Sequence, residues 1–362
     1  MKGLPLLQLG GHQRLRLGSK FKSACESFDV TPIMDDTLDK MFQFKPFGRS
    51  PVAGFLRLNL WTWNHLPASS KNLRLVQLYG HFLNTLVRSG SQRTQYFGTF
   101  FLRNRPQLEL IRRLSYEVEH TSTLNLAVLG CSNGAEVYSI LATLRSARPE
   151  LKVVLNAVDI SPEVLALARK GMYSIVSPEL VGETIFERLS EAEIQMMFDR
   201  DADQVTVQSW IKEGIHWQLG DVRDPEVLQR VGPQDIVVAN NFLCHMKPPQ
   251  AEECLRGIAP LVRPGGYLVI SGIDLEVREK VALAQNWKPV PELLEAIHDG
   301  DTALREDWPT NYWGLEPLDK TRGNWTYRYA AVFQIGEPAS QRTRIPLTET
   351  SNVPATLRPV LR

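Results

Sequence analysis

The spacing of apolar residues changes near residue 124, and this change separates two kinds of structure. Between residues 71 and 87 apolar side chains recur every three or four positions, which predicts a helix. A second helix is predicted over 106–118, because proline at position 106 suits the first turn of a helix. Residues 1–70 show no period, so no element is predicted there.

From residue 124 onward, short apolar runs alternate with helical patterns. The predicted strands are residues 124–130, 152–158, 205–208, 215–219, 235–239 and 266–271. The predicted helices are residues 136–147, one opened by Ser161, Pro162 and Glu163 and closed by Gly171, one capped by Ser190 and Glu193, and 250–262. Strands that alternate with helices in this way predict a mostly parallel sheet with helices on both faces.

The C-terminal region has a different pattern. Residues 312–320 and 325–335 are two predicted strands, joined by a turn, so the sheet is expected to end in an antiparallel hairpin. The region before them carries helical pieces, such as residues 290–298. The expected fold is therefore a Rossmann-like α/β domain with a seven-stranded sheet. Residues 337–362 are rich in Pro, Ser, Thr and Arg without a period, which predicts a disordered tail.

Charge is unevenly distributed along the 362 residues, although the net charge is only +1. Residues 1–93 hold 13 Lys and Arg against 5 Asp and Glu, whereas the remainder is acidic. A basic segment beside an acidic body suggests docking on an acidic partner, although a solvated, partly ordered arm would look the same. Nucleic acid is not the expected partner, but charge alone does not exclude it. We expect three parts: the basic, partly helical segment 1–93, a catalytic domain over 94–336 and the tail 337–362.

The cysteines argue against disulfide or zinc sites. The four cysteines form no C-x-x-C pair and no cluster with histidine at zinc spacing, so no metal is expected. This usage is typical of a reduced compartment, and no apolar run approaches the length of a membrane span. The N-terminus lacks the continuous apolar stretch of a signal peptide. A cytoplasmic protein is expected.

A strand, a turn with two glycines and a helix follow one another around Gly130 and Gly134. Glycine lets the backbone turn sharply and approach a ligand, although such glycines are often only structural. Asp159 and Asp221 end the next two strands, where a carboxylate can accept hydrogen bonds from ribose hydroxyls or lie beside an adenine. Each could instead cap the following helix. Together the features fit an adenosyl ligand, and the expected hairpin favours a class I methyltransferase over a dehydrogenase.

Four stretches of the chain resemble the CheR-type chemotaxis methyltransferases, which esterify receptor glutamates with S-adenosyl-L-methionine. The similar stretches are Thr99–Arg103 (TFFLR), Gly130–Ile140 (GCSNGAEVYSI), Ala157–Ile160 with the following Ala168–Tyr173 (ARKGMY), and Val238–Phe242 with Arg263–Tyr267. The Gly130–Ile140 stretch is the most specific of them. The resemblance implies the same fold and S-adenosyl-L-methionine as the cofactor.

The resemblance also implies which residues line the cofactor cleft. These are Thr99, Arg103, Gly130, Gly134, Glu136, Asp159, Asp221, Val222, Asn241 and Phe242. The amino-acid end of the cofactor carries an amine and a carboxylate, so Glu136 and Arg103 are chemically suitable there. Arg103 is also a catalytic candidate, and its alternative is a surface arginine beside Arg105.

Three departures from the family pattern lie near the expected acceptor or cleft. Phe97 and Asn240 stand where the family has asparagine and arginine, and His245 replaces a tyrosine. His245 is the second catalytic candidate, because a histidine can orient or deprotonate an acceptor near neutral pH. The alternative is a histidine that makes only local hydrogen bonds.

The sequence therefore predicts a methyltransferase that acts on a carboxylate of a protein. A small-molecule O- or N-methyltransferase on the same fold is the alternative, favoured by His245 and by the long insertion before the expected hairpin. A third hypothesis is a non-catalytic module that binds an adenosyl ligand or an acidic partner. A nucleobase amino-methyltransferase is not expected, because no Asp/Asn-Pro-Pro-aromatic motif follows the fourth strand.

Overall fold

The computed structural model describes residues 51–91, 93, 95, 97–117, 123–176 and 185–336. Residues 1–50 of the predicted basic segment, and the predicted tail 337–362, lie outside the described residues. The chain divides into two compact units, one formed by residues up to Gln92 with Pro309–Tyr312, the other by Arg93–Trp308 with Trp313 onward.

The first unit contains three helices, α1 (Pro51–His65), α2 (Ala68–Lys71) and α3 (Arg74–Gly90). Helix α3 confirms the helix predicted over 71–87, shifted by three residues at each end. Helix α1 was missed, because its apolar residues surround the axis: Leu56 and Trp63 are buried whereas Phe55 and Leu58 are exposed. Such a helix shows no single apolar stripe in the sequence.

The second unit is built on a seven-stranded sheet. Its strands are β1 (Leu124–Leu129), β2 (Val153–Asp159), β6 (Ile215–Leu219), β7 (Gln234–Asn240), β8 (Val262–Ser271), β9 (Lys288–Pro289) and β10 (Val332–Gln334). They lie in the order β6-β2-β1-β7-β8-β10-β9. The first five are parallel, and β10 is antiparallel to both β8 and β9. The predicted fold class is therefore confirmed.

Helices cover both faces of this sheet. They are α4 (Arg105–Leu114), α5 (Ala135–Ala147), α6 (Pro162–Lys170), α7 (Glu191–Met197), α8 (Ser209–Lys212), α9 (Pro225–Val231), α10 (Pro248–Ile258), α11 (Leu275–Ala284), α12 (Leu294–His298), α13 (Thr302–Glu306) and α14 (Trp325–Tyr329). Alternate residues of β1 enter two separate cores, Leu126 and Val128 on one face and Ala127 and Leu129 on the other. This double burial explains why the strand is a continuous apolar run.

The caps predicted from the sequence are present. The Ser161 hydroxyl accepts a hydrogen bond from the amide of Val164 and begins α6, and Gly171 ends it in the left-handed conformation (φ 60°). Ser190 and Glu193 form a reciprocal capping box on α7. These side chains satisfy backbone groups that a helix end leaves unpaired.

The predicted C-terminal hairpin needs a correction. An antiparallel strand does complete the sheet, but its neighbours are β8 and β9, and residues 312–320 form no strand. Residues 325–329 are helical, as α14. The outer neighbour of β10 is thus the short strand at 288–289, which lies more than 40 residues upstream of β10.

A second, three-stranded sheet packs into the core that Leu126 and Val128 enter from the main sheet. It consists of β3 (Met172–Ser174), β4 (Phe198–Asp201) and β5 (Gln204–Val207), and β5 confirms the small strand predicted over 205–208. Phe101 packs between three aromatic rings, those of Tyr173, Phe186 and Phe198, at centroid distances of 5.0–5.4 Å. This cluster holds the 97–103 segment against the domain.

Candidate functional site

The turn after β1 is tied to the end of β2 by backbone hydrogen bonds. The amides of Gly130 and Cys131 donate to the carbonyl of Val158 at 2.8 and 3.0 Å. Gly130 has φ +70°, and a Cβ on it would lie 2.9 Å from the ring of Phe242. Only glycine suits a left-handed position so close to a ring. The structure therefore brings Gly130 and Phe242 together.

Asp159 lies beneath this turn and is buried. Its two carboxylate oxygens accept hydrogen bonds, one from the amide of Ser132 at 2.7 Å and one from the amide of Ser161 at 3.0 Å. Burial raises the pKa of Asp159, although the amides of Ser161 and Ser132 oppose that rise. The helix-capping alternative is thus partly realised, since one oxygen receives the amide that precedes α6.

Gly134 is held by packing. It begins α5 with φ +88°, and a Cβ on it would lie 3.1 Å from Ala168, Trp217 and Tyr138. The side chains around it belong to the protein core, and this explains the second glycine of the motif without a ligand. The Tyr138 hydroxyl donates to the carbonyl of Ala168, in keeping with a packing role.

Glu136 lies in the first turn of α5 and meets the end of β7. Its Oε1 accepts a hydrogen bond from Nδ2 of Asn240 at 2.6 Å, and the same Nδ2 donates to Oε1 of Gln107 at 2.8 Å. Burial raises the pKa of Glu136, while the Asn240 bond and the charge of Arg103 oppose the rise. Asn240 Oδ1 and Gln107 Nε2 are buried and have no partner among the described residues.

Arg103 follows the segment that contains Thr99. This segment is fixed at both ends, because Ser132 Oγ donates to the carbonyl of Phe97 at 2.7 Å and the Leu102 amide donates to Ser139 Oγ at 2.9 Å. The Arg103 charge acts on the pKa of both Glu136 and Cys244, so the guanidinium lies near the start of α5 and the loop after β7. Its side chain is 22% exposed and pairs with Asp301.

Asp221 and Val222 follow β6. The amide of the adjacent Gly220 donates to the carbonyl of Asp159 at 2.9 Å, so the ends of β6 and β2 are neighbours. The Asp221 carboxylate pairs with Arg223, and this hydrogen bond lowers the pKa of Asp221 despite partial burial. Val222 is buried in the core beneath. The structure thus brings Asp221 to the predicted edge but pairs its carboxylate locally.

The loop after β7 contains the three remaining predicted residues. Asn241 has φ +59° and donates its amide to the carbonyl of Ser271 at 2.9 Å. Phe242 is partly exposed and covers Gly130. His245 ends a short 3-10 helix, Leu243–His245, and is also partly exposed.

Two residues that position this site were missed by sequence analysis. Arg93 donates Nη1 to the carbonyl of Met246 at 2.7 Å and Nη2 to Asp274 at 2.8 Å, and both side chains are at most 5% exposed. It therefore fixes the loop that carries His245. Asp301 is the buried partner of Arg103. In the sequence neither residue belongs to a motif, so no local signal could have found them.

Across the described ranges, no helix is long and apolar enough to cross a membrane. The same ranges hold no group of three or more His, Cys, Asp or Glu side chains placed to bind a metal ion.

Comparison with protein families identifies the part of the chain that carries the site. A family model described as "CheR methyltransferase, SAM binding domain" matches residues 98–283. This range is more than half of the 362 residues and contains every predicted site residue. Arg93 and Asp301 lie outside it.

Three relatives show similarity over parts of their length. A probable biofilm formation methyltransferase WspC from Pseudomonas aeruginosa is 25% identical over 177 residues, 48% of this chain and 40% of that protein. A chemotaxis protein methyltransferase from Vibrio parahaemolyticus is 27% identical over 149 residues, 40% of this chain and 51% of that protein. An uncharacterized 104.1 kDa protein from Rhodobacter capsulatus is 28% identical over 243 residues, 65% of this chain and 22% of that protein. The chain thus spans about half or less of each relative.

Proposed function

Because the chain belongs to the CheR methyltransferase family, we propose that it transfers a methyl group from S-adenosyl-L-methionine to a carboxylate of an acceptor protein. One observation carries the proposal. The ends of β1, β2 and β7 bring Asp159, Glu136 and Asn240 to one edge of the sheet, with Arg103 near Glu136. In parallel α/β sheets this edge is where ligands bind.

The amino-acid end of the cofactor suits the residues around Glu136. Its ammonium group needs acceptors, and the Glu136 carboxylate and the buried, unpartnered Oδ1 of Asn240 are acceptors in one network. Its carboxylate needs a cation, which Arg103 supplies. A ligand that pairs with these groups would remove the cost of leaving them unsatisfied in the protein interior.

The nucleoside end suits the residues around Asp159. Each carboxylate oxygen of Asp159 accepts one backbone amide and keeps further acceptor capacity for a hydroxyl. Gly130 has no side chain to obstruct a ligand at the turn, and Phe242 supplies an apolar surface beside it. Asp221 would contribute if a ligand hydroxyl or amine shared its carboxylate with Arg223.

The cofactor supplies an electrophilic methyl group, which an acceptor displaces in line. The protein therefore has to position the acceptor and exclude water. A carboxylate acceptor is ionised near pH 7 and needs no base, so His245 would then orient it. For a hydroxyl or amine acceptor, His245 would remove a proton from the acceptor.

Cofactor binding is the first test. Isothermal titration with S-adenosylhomocysteine should show binding to the full chain and a loss of about tenfold or more for Asp159→Ala. The exposed Asp203→Ala serves as the matched control and should bind like the wild type. A folded wild-type protein that does not bind would exclude the enzyme and favour a partner-binding module.

The acceptor chemistry is the second test. With cofactor labelled in the methyl group, acidic proteins should become labelled, and mild alkali should release the label as methanol because carboxyl esters hydrolyse there. Label that survives alkali would indicate an amine or ether acceptor and would contradict the carboxylate assignment. His245→Gln should lower transfer without abolishing cofactor binding.

Partner and location are part of the same proposal. The excess of 13 basic over 5 acidic residues in segment 1–93 favours an acidic protein partner. A cytoplasmic location is favoured by the free, buried thiols of Cys131, Cys244 and Cys254.

A further inference from the structure

Asp301 lies in a segment beyond the region that the family model matches. It is 4% exposed and occupies the N-cap position of α13, yet its side chain makes no capping hydrogen bond there. An aspartate at that position ordinarily caps its own helix. Here its carboxylate binds arginines instead: Oδ2 lies 2.7 Å from Nε of Arg103 and Oδ1 lies 3.2 Å from Nη2 of Arg188.

Arg103 is held on several sides by this arrangement. Asp301 accepts its Nε, Arg188 Nη1 donates to its backbone carbonyl at 2.8 Å, and the Phe100 ring lies below both guanidinium groups at 5.9 and 4.6 Å. The guanidinium is therefore fixed at Nε, whereas its Nη1 and Nη2 atoms make no hydrogen bond to the described residues.

The charge state of Asp301 supports a lasting pair. Burial opposes ionisation, but the guanidinium groups of Arg103 and Arg188 lower the pKa of Asp301 below its ordinary value. The carboxylate is thus ionised at neutral pH. A buried ion pair costs desolvation, so it contributes little stability on its own and suits a residue that must be oriented.

We infer that Asp301 is a positioning residue, which orients Arg103 so that its free end receives the carboxylate of the cofactor's amino-acid part. This inference rests on the proposed function. It adds to that function a residue from outside the matched 98–283 region, so cofactor binding in this chain depends on its C-terminal extension.

Two ligands that differ in the relevant group test the inference. S-Adenosylhomocysteine carries the amino-acid end, whereas methylthioadenosine has the same nucleoside and thioether without the ammonium or carboxylate. Asp301→Asn removes the charge and keeps the shape. By calorimetry it should weaken S-adenosylhomocysteine about tenfold and methylthioadenosine less than about twofold. The matched control is Asp299→Asn, because the Asp299 side chain is 61% exposed. This variant should bind both ligands like the wild type.

A double-mutant cycle separates positioning from general damage. In an Arg103→Met background, Asp301→Asn should cause no further loss of S-adenosylhomocysteine affinity. Asp301→Glu keeps the negative charge and should cause a smaller loss of affinity, for S-adenosylhomocysteine alone. Equal losses for both ligands, no loss for either, or an undiminished loss in the Arg103→Met background would overturn the inference. A wild type that binds neither ligand would overturn the proposed function as well.

Discussion

The two carboxyl groups at the centre of the site, Glu136 and Asp159, are unfavourable for folding. Burial raises the pKa of both. A raised folded-state pKa means that the folded protein holds the proton more tightly than the unfolded chain. The free energy of unfolding therefore falls as pH rises from the unfolded-state pKa to the folded-state pKa. Above the folded-state pKa the full cost of burying the charge is present, and below the unfolded-state pKa this cost disappears. Such a cost is typical of groups retained for binding.

Glu136→Gln should therefore separate stability from binding. The amide can still accept from Asn240 without a buried charge, so the free energy of unfolding at pH 7 should rise by about 1 kcal/mol, measured with urea. Affinity for S-adenosylhomocysteine should fall about tenfold or more. In the wild type that affinity should decline on acidification at a higher pH than an ordinary glutamate would give.

The exposed Glu226→Gln is the control and should change neither property. A Glu136→Gln protein that binds the ligand as well as the wild type would exclude a role for the carboxylate.

Gly130→Ala should be more damaging than Gly232→Ala, a substitution at another glycine with positive φ. At Gly130 the new Cβ adds a contact of 2.9 Å with Phe242 to the strain of φ +70°. Gly232 has φ +66° but nothing within 4 Å of its Cβ position. We expect losses of about 1 kcal/mol for Gly232→Ala and about 2–4 kcal/mol for Gly130→Ala in urea unfolding. Equal losses would show that Phe242 yields without cost.

Site residues could be predicted from the sequence where neighbouring residues in the chain determine their position. The turn at Gly130 and the carboxylate of Asp159 follow from strand ends that the apolar runs mark. Arg93 and Asp301 were not predictable, because their partners lie 181 and 198 residues away along the chain. Only the folded topology brings those side chains together.

At the scale of elements, the parallel strands and their helices were predicted well because their cores lie on both faces of the sheet. The prediction failed at α14, where Trp325, Tyr327 and Tyr329 alternate with polar residues in the manner of a strand. The segment is helical, and in this form Arg328 and Tyr329 both reach the buried Glu316. Tertiary contacts of this kind override local β-propensity.

The loop after β7 depends on one cation from a distant part of the chain. Arg93→Met would remove the guanidinium that pairs with the buried Asp274 carboxylate and that donates to the carbonyls of Cys244 and Met246. We expect a loss of about 3–5 kcal/mol in the free energy of unfolding, measured with urea. Arg263→Met is the control, since that arginine is 44% exposed in its pair with Asp235, and it should lose less than about 1 kcal/mol. A small loss for Arg93→Met would mean that water replaces the cation.

At the scale of the whole domain, a buried polar cluster fixes the segment beyond the family-matched region. Glu316 accepts hydrogen bonds from Arg328 and from the Tyr329 hydroxyl, and the Arg328 and Glu316 side chains are at most 3% exposed. Arg328 also pairs with Glu276 and Glu279 of α11. The cluster therefore joins the extension to a helix that lies partly within the matched 98–283 region.

Glu316 and Glu276 both pair with Arg328, but replacing them should change the free energy of unfolding by very different amounts. Glu316→Gln weakens a fully buried ion pair and should lower the free energy of unfolding by about 3 kcal/mol or more. Glu276→Gln affects the same arginine through a carboxylate that is 61% exposed and should cost less than about 1 kcal/mol. Thermal and urea unfolding measure both, and similar losses would indicate that solvent reaches Glu316.

The position of β10 has a consequence for biosynthesis. This strand occupies the space between β8 and β9 but is made last, more than 60 residues after β8. On the ribosome, the five parallel strands emerge while β8 still presents an unpaired edge. The nascent domain must wait for residues 332–334 before that edge closes, and during this interval it is open to mispairing with other chains. Slowed translation between β9 and β10 should therefore increase aggregation of the newly made protein.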